Sequence, residues 1–229
     1  MILKTKLFGH VYEFKSIREV MAKANEEKSG DKLAGIAAET AEERVAAKVV
    51  LSNLTLNDLR NCPAVPYEED EVTRIIQDSV NETIFNEYKN MTVAEFREWL
   101  LDTQTTPDMI RRASRGLTSE IVAGVCKLMS NLDLIYAAKK MRVTAHCNTT
   151  IGLPGTFSSR LQPNHTTDDP NGIIASVMEG LSLGCGDAVI GLNPVDDSVE
   201  SVARILKMFD EFKRKWEVPT PVSYTHLTL

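Results

Sequence analysis

Three polar side chains in the second half of the chain have types that suit the binding of a small polar molecule. Arg160 and Gln162 stand two positions apart in a stretch rich in glycine and proline, and Asn193 follows a short apolar run. Arginine offers fixed donors and a permanent charge, and each amide offers both a donor and an acceptor, so the set could hold a ligand with a hydroxyl and an amine. The set contains no base, nucleophile or metal ligand, so by itself it could bind but not catalyse a difficult reaction.

A structural interpretation of the same residues stays open at this point. The stretch 149–169 has the composition of a surface turn, and its polar side chains could simply cap backbone ends. His165 is the nearest histidine, and a solvent-facing loop histidine is its ordinary interpretation. The glycine-rich run at 180–191 precedes an apolar segment and lacks the GxGxxG spacing, so it does not indicate a dinucleotide site.

The elements that must position these residues follow from the pattern after about residue 143. The sequence predicts alternating strands and helices, at 149–155, 172–183, 188–192 and 198–216. This order is typical of a parallel sheet with right-handed crossovers. Because parallel strands end on the same side of a sheet, we expect Arg160, Gln162 and Asn193 to lie at one rim, where such folds bind ligands.

The first half of the chain has helical patterns. Residues 31–51 are rich in alanine and charged helix formers, with apolar residues at helical spacing. Residues 118–140 predict a long, largely apolar helix that is buried on several sides. Capping boxes begin at Thr55 and Thr92, and Thr106 before a proline marks another helix start.

Composition and charge argue against several classes of protein. A formal net charge of −6 argues against nucleic-acid binding. The sequence contains no run of roughly 18 apolar residues, which is the length that a membrane span needs. No export signal is apparent either, so we expect a cytoplasmic protein. The four cysteines form no CxxC pair, which predicts reduced, mostly buried thiols and no metal or redox site.

Long stretches of the sequence resemble the large subunit of ethanolamine ammonia-lyase, an adenosylcobalamin-dependent family. The clearest are NTTIGLPGTFSSRLQPN at 148–164 and GLSLGCGDAVIGLNPV at 180–195. The runs LFGHVYEFKSIREVMAKANEEKSGDKLAGIAA and RGLTSEIVAGVCKLMSNLDLIYAAKKM are also similar to the family and come in the same order. The resemblance therefore extends over nearly the whole chain.

The resemblance implies an α/β fold, namely an incomplete TIM-type (β/α)8 barrel preceded by a helical N-terminal region. The chain would contain the first two or so βα units of that barrel. The implied domains are a helical region at 1–115, the start of the barrel at 116–220, and a tail at 221–229 that departs from the family pattern and is predicted to be non-native.

The resemblance also implies a chemistry. In the family, an adenosyl radical formed from adenosylcobalamin starts the conversion of ethanolamine to acetaldehyde and ammonia. The resemblance assigns substrate binding to Arg160, Gln162 and Asn193, with Arg160 on the hydroxyl side as a stabiliser of the radical or migrating group, and a cobalamin contact to Pro194. Implied partners are the small (light) subunit and other large subunits in a hetero-oligomer, and enclosure in a bacterial microcompartment is left open.

The departure after about residue 220 limits what this chain is expected to do. Two of eight strands cannot close a barrel, so we expect the second strand to have an open edge. The resemblance also implies that the acidic residues that hold the substrate ammonium come from strands this chain lacks, and a bound cation without carboxylate partners is poorly held. The chain is therefore expected to be a fragment that is inactive alone. Two other interpretations stay open: a non-catalytic assembly or binding module made of the helical region and partial barrel, and a complete small α/β protein.

Overall fold

The computed structural model describes residues 3–141 and 143–224. The described residues form two compact units, one on each side of residue 142. Each unit has an apolar core of its own.

The first unit begins with a two-stranded antiparallel sheet and continues in helices. The strands are β1 Lys4–Leu7 and β2 His10–Glu13. The helices are α1 Ile17–Lys23, α2 Ser29–Leu33, α3 Ala41–Ser52, α4 Leu56–Arg60, α5 Glu71–Asp78, α6 Glu82–Tyr88, α7 Val93–Leu101, α8 Pro107–Ala113, α9 Ser119–Lys127 and α10 Asn131–Lys140. A 3₁₀ turn, Ser114–Gly116, lies between α8 and α9.

The predicted helix starts of this unit are confirmed. Thr55 and Asp58 exchange side-chain-to-backbone hydrogen bonds in a capping box at the start of α4. Thr92 and Glu95 do the same at the start of α7, and Thr106 caps α8 directly before its proline. These caps satisfy backbone N–H groups that have no partner inside a helix, which is why each helix begins where the sequence predicts.

Two predicted helices are wrong in length. The segment 31–51 divides into α2 and α3, because Gly35 has a left-handed φ of 68° after α2 and Thr40 caps a new helix. The segment 118–140 divides into α9 and α10, because Ser130 begins a capping box of its own. A capping residue in the middle of an apolar stretch therefore decided these boundaries against helical periodicity.

The predicted burial of that second stretch is also wrong for α10. Helix α9 buries Ile121 and Val125, but in α10 the side chains of Leu132 and Ile135 are 78% and 65% exposed. The break before α10 turns these apolar residues away from the core of the unit.

The second unit combines a short hairpin with a parallel sheet and two helices. The hairpin is β3 Ala145–His146 and β4 Thr150–Ile151. The sheet has the order β5-β6-β7, and its parts along the chain are β5 Arg160–Leu161, α11 Pro170–Ser182, β6 Val189–Leu192, α12 Val199–Trp216 and β7 Val222–Tyr224. All its strand pairs are parallel, so the predicted alternation of strands and crossover helices is confirmed.

The two helices and the second strand lie where the sequence predicts them. Asp169 caps the start of α11, and Gly184 follows its end with a left-handed φ of 78°, as expected of a C-terminal glycine. Ser198 caps α12.

One face of the parallel sheet is apolar and packs on the helices. Leu161 pairs with Ile190 across β5 and β6, and both belong to one cluster with Leu192. The buried residues that α11 and α12 contribute to this cluster are Ile173, Val177, Ile205, Phe209 and Phe212. Because side chains alternate along a strand, Arg160 and Gly191 lie on the other face of the sheet.

The first parallel strand lies later in the chain than predicted. The segment 149–155 was expected to be this strand, but Thr150–Ile151 pairs antiparallel with β3 instead. Gly152 ends the extended stretch with a φ of 95°, and a side chain there would collide with the carbonyl oxygen of Val143. The parallel strand is β5, so Arg160 lies inside a strand and only Gln162 follows it.

The predicted open edge on β6 is wrong. Strand β7 pairs along it, with Ile190 opposite Val222, and the backbone N–H of Ile190 donates to the carbonyl of Pro221 at 2.9 Å. Residues 225–229 of the predicted tail lie outside the described residues, and its non-native origin stays a prediction. Within residues 3–141 and 143–224 the sheets are short and none closes into a barrel.

Two predictions from composition can be compared with the structure. The four cysteines are free thiols, as predicted, but only Cys147 is half-buried, and Cys62, Cys126 and Cys185 are exposed, so their predicted burial is wrong. In the part of the chain that the structure describes, no helix has the length and apolar character that crossing a membrane requires.

Candidate functional site

Arg160 and Gln162 lie together at the end of β5. The Nε atom of Arg160 donates a hydrogen bond to Oε1 of Gln162 at 2.8 Å. Both side chains are exposed, and their spacing of two puts them on the same side of the extended chain, away from the helices. The structure thus brings these two predicted site residues into direct contact.

Asn164 connects this pair to the loop that follows β6. Its Oδ1 atom accepts hydrogen bonds from Nε2 of Gln162 at 3.1 Å and from the backbone N–H of Asn193 at 3.0 Å. A backbone N–H can only donate, so the oxygen of Asn164 must face it, and the direction of the other hydrogen bonds follows. We call this chain of four residues, Arg160, Gln162, Asn164 and Asn193, the polar row.

The side chain of Asn193 has an unpaired oxygen. Its Oδ1 atom is buried and has no hydrogen-bond partner among the described residues. A buried acceptor without a donor costs about 1–3 kcal/mol, so native structures usually supply a partner. A ligand with a hydroxyl or ammonium donor would satisfy this oxygen, whereas the backbone of Asn193 is already bound within the polar row.

Asp168 holds the loop that carries Asn193 and Pro194. Its carboxylate accepts from the backbone N–H of Val195 at 2.9 and 3.0 Å and from that of Asp196 at 2.8 Å. Asp168 is only 3% exposed and has a left-handed φ of 51°. Pro194 is itself buried, so this segment offers a ligand a fixed backbone shape and little proline surface.

Asn164 and Asp168 are functional candidates that sequence reasoning missed. In the sequence they look like turn residues, and the neighbouring Asp169 does cap a helix by accepting from the N–H of Gly172 at 2.8 Å. The partners of Asn164 and Asp168 in the next loop lie 29 and 27 positions further along the chain. A local pattern carries no signal for such contacts, and only the predicted meeting of two strand ends hinted at them.

Among the described residues at this rim we find no nucleophile or general base placed to react. The Nδ1 atom of His165 lies 3.2 Å from the hydroxyl of Thr167, and its ring packs where a side chain on Gly172 would lie, 2.6 Å away. The same part of the chain contains no group of three or more His, Cys, Asp or Glu that could hold a metal ion. The arrangement offers hydrogen-bond donors and acceptors that suit a small polar molecule.

The opposite end of the sheet is held together by Asp187. Its carboxylate accepts from the hydroxyl and the backbone N–H of Ser159, both at 2.6 Å, and from the hydroxyl of Thr149 at 3.2 Å. The hydrogen bond from the Ser159 hydroxyl, followed by that from its backbone, holds the pKa of Asp187 below its ordinary value of 3.8. Ser159 precedes β5 and Asp187 precedes β6, so this network fixes the amino ends of the strands and leaves the other end for a ligand.

This network predicts a dependence of stability on pH. A carboxyl whose pKa is lower in the folded state stabilises the fold above its unfolded pKa and loses that contribution as the pH falls through the folded value. We therefore expect Asp187→Asn to lower the urea midpoint of the chain at pH 7, and the difference from the parent chain to shrink as the pH falls below about 4. Urea unfolding at a series of pH values measures both effects.

A matched control for this experiment is Asp210→Asn. Asp210 forms an exposed pair with Arg214 one turn away on α12, at 2.8 Å, and such pairs contribute little to stability. The explanation fails if Asp187→Asn has the same effect at pH 3 as at pH 7, or no larger effect than the control at pH 7.

Comparison with known proteins identifies the family of this chain. A family model described as the ethanolamine ammonia lyase large subunit matches residues 12–229. The ethanolamine ammonia-lyase large subunits of Escherichia coli (strain K12) and Salmonella typhimurium (strain LT2) are each 57% identical over 220 residues, which is 96% of this chain and 49% of the relative. The chain thus spans about half the length of the curated relatives it matches. The predicted resemblance is confirmed, and the chain belongs to the ethanolamine ammonia-lyase large-subunit family.

Proposed function

We propose that this chain supplies the substrate-binding rim of an adenosylcobalamin-dependent ethanolamine ammonia-lyase, which converts ethanolamine to acetaldehyde and ammonia. The observation that carries the proposal is the polar row, which crosses the carboxyl ends of two parallel strands and ends next to an unpaired buried oxygen. The proposed partners are the small subunit of the enzyme and further copies of the large subunit.

Arg160 binds the hydroxyl end of ethanolamine in this proposal. Its Nε atom is engaged by Gln162, whereas Nη1 and Nη2 have no hydrogen-bond partner among the described residues. A guanidinium is permanently charged and donates only, so it attracts the substrate oxygen and repels the ammonium. The substrate is thereby oriented with its ammonium away from Arg160.

The two amides complete the orientation. Gln162 uses one N–H of its amide on Asn164, and the second N–H can donate to the substrate oxygen. The unpaired Oδ1 of Asn193 accepts from either donor of the substrate, its hydroxyl or its ammonium. Because Asn164 holds both residues, binding of the substrate requires little further ordering of these side chains.

Adenosylcobalamin, when bound, supplies the radical that removes a hydrogen atom from the substrate. The rim fits a place beside such a cofactor in one respect, which is the fixed shape of the segment that contains Pro194. Asp168 anchors the two backbone N–H groups that follow this proline, so the segment keeps its shape without a ligand. In this chain Asn193 orients the substrate, and Pro194 limits the space beside it.

The substrate ammonium also needs acceptors beyond Asn193. Two carboxylates that follow β5 are already engaged, because Asp168 binds two backbone N–H groups and Asp169 caps a helix. A bound cation without a carboxylate partner is poorly held. We propose that these partners come from parts of a full-length large subunit outside this chain, and that the chain alone is inactive.

A chimaeric subunit tests this function. In this protein, called the chimaera below, the chain replaces the 220 residues that match it in the Escherichia coli relative, and the small subunit of that relative is co-expressed. We expect the chimaera to form acetaldehyde and ammonia from ethanolamine when adenosylcobalamin is added, and the 229-residue chain with the same small subunit to form neither.

Two results would contradict the proposal. Turnover by the 229-residue chain would show that no further carboxylates are needed. A chimaera that assembles and binds cobalamin without turnover would instead favour a non-catalytic assembly module. The exposed side chains of Leu132 and Ile135 on α10 support that alternative, since exposed apolar side chains commonly mark interfaces. The control is the unaltered Escherichia coli subunit, prepared and assayed in parallel.

A further inference from the structure

Gly191 lies directly beneath the guanidinium of Arg160. A methyl group on Gly191 would lie 2.6 Å from Cζ of Arg160, and closer still to its Nε and Nη2 atoms. Such a separation is far below the usual contact distance of about 3.5–4 Å between heavy atoms. The guanidinium therefore occupies the space that any other residue at position 191 would fill with its Cβ.

The backbone at this position does not require glycine. Gly191 is an interior residue of β6 and is not among the glycines with positive φ. Glycine in the middle of a strand is less stable than alanine by roughly 0.5–1 kcal/mol, and it leaves no side chain to pack. In strand interiors glycine often marks a place where another group approaches the backbone closely, and here that group is Arg160.

Gly191 and Arg160 meet because they lie on the same face of the parallel sheet. Ile190 and Leu192 point into the apolar cluster beneath α11 and α12, so Gly191 between them faces the opposite side. Arg160 lies on that side in the adjacent parallel strand. The guanidinium can then rest on the backbone of β6 while its Nε donates to Gln162.

We propose that Gly191 is a positioning residue for the substrate: it sets the level at which the guanidinium of Arg160 lies on the sheet. The inference rests on the proposed function, because it assumes that Arg160 binds ethanolamine. A side chain at position 191 would lift the guanidinium off the strand, break its hydrogen bond with Gln162 and move its free nitrogens into the space intended for the substrate.

This displacement is local, so the effect of the substitution on the position of the guanidinium can be measured apart from any effect on the stability of the fold. The atoms that a methyl group would displace are the far end of a long, exposed side chain, so the guanidinium moves and the strand does not. We therefore expect Gly191→Ala to leave the urea midpoint of the chimaera unchanged or slightly higher, as alanine is favoured over glycine in a strand. A structural role for the glycine would give the opposite result, a lower midpoint.

The effect on catalysis is expected to be large. Misplacing a binding group by about 1 Å can cost on the order of 100-fold in rate, so we expect kcat/KM for ethanolamine to fall by about 10- to 100-fold in the Gly191→Ala chimaera. Binding of ethanolamine without adenosylcobalamin, measured by calorimetry, should weaken in parallel. Both measurements use the chimaera with its small subunit.

A double-mutant cycle tests whether the effect passes through Arg160. In an Arg160→Ala background there is no guanidinium to displace, so adding Gly191→Ala should change kcat/KM less than twofold. Residues that act through one interaction are expected to be non-additive in this way. Gly30→Ala is the control for the substitution itself, because a side chain there meets no atom within 4 Å.

Three outcomes would overturn the inference. One is a Gly191→Ala chimaera with the activity of the parent, the second is a clearly lowered urea midpoint, and the third is an equal loss in the two backgrounds. Each of these differs from failure of the proposed function, which would appear as absence of turnover in the parent chimaera or no effect of Arg160→Ala.

Discussion

Replacement of Arg160 by alanine is expected to lower kcat/KM of the chimaera for ethanolamine by about 10²- to 10³-fold, the range seen when one preorganised donor to a reacting group is removed. The loss combines the missing donors to the substrate hydroxyl with a Gln162 amide that no longer has its partner on Nε. Steady-state kinetics with ethanolamine measure it. Because Arg160 is exposed, the urea midpoint should hardly change.

Arg160→Lys separates charge from geometry. Lysine keeps the positive charge but has no counterpart of Nε that could donate to Gln162 while other nitrogens bind the substrate. We expect Arg160→Lys to recover at most a small part of the loss. If lysine restores full activity, charge alone is sufficient and the polar row is not the reason for the position of Arg160.

The sequence predicted the location of this candidate site better than the hydrogen bonds within it. Two strands with a helical crossover were enough to predict Arg160, Gln162 and Asn193 close together on neighbouring strands, because parallel strands end on the same side, although Arg160 lies within β5 and not after it. The structure joins them through Asn164, which binds Gln162 and the backbone of Asn193 at once. No spacing rule gives that contact, since it depends on how two loops from different parts of the chain approach one another.

The errors in the fold have a common physical cause. Residues 149–155 looked like a parallel strand because of their apolar content, but Thr150–Ile151 pairs antiparallel with β3, and Gly152 with its positive φ ends the extended stretch. The apolar run at 118–140 looked like one helix, but Ser130 starts a new one. In both cases one residue with a strong local preference interrupts a longer pattern. Caps that stood at the start of a pattern, such as Thr92, were predicted correctly.

The two ends of the parallel sheet are held by two different hydrogen-bond networks. At the amino ends, Asp187 joins β6 to β5 through Ser159 and to the hairpin through Thr149. At the carboxyl ends, Asp168 joins the two following loops through backbone N–H groups. The first network holds the amino ends of the strands, whereas the second holds the loop that carries Asn193. A substitution at Asp168 should therefore alter stability and substrate binding together, which distinguishes it from Gly191→Ala.

Asp168→Ala is expected to lower the free energy of unfolding of the second unit by about 2–4 kcal/mol. The carboxylate is 3% exposed, and its removal breaks the hydrogen bonds that it accepts from the backbone N–H groups of Val195 and Asp196; a hydrogen bond to a charged group contributes about 1.5–3 kcal/mol. Alanine also tolerates a φ of 51° poorly, which adds roughly 1–2 kcal/mol. Urea-dependent hydrogen exchange of the β6 amides measures the change in this unit.

Asp168→Asn isolates the contribution of the carboxylate. Asparagine accepts the left-handed conformation, so only the charge and one acceptor oxygen are lost, and we expect a smaller destabilisation of about 1–2 kcal/mol. The matched control is Asp169→Asn at the next position, where asparagine is an equally good helix cap and little should change. In the chimaera, Asp168→Asn should raise KM for ethanolamine, because the loop that carries Asn193 is no longer fixed. Equal effects of the two asparagine substitutions on stability and KM would show that Asp168 does no more than an ordinary turn residue.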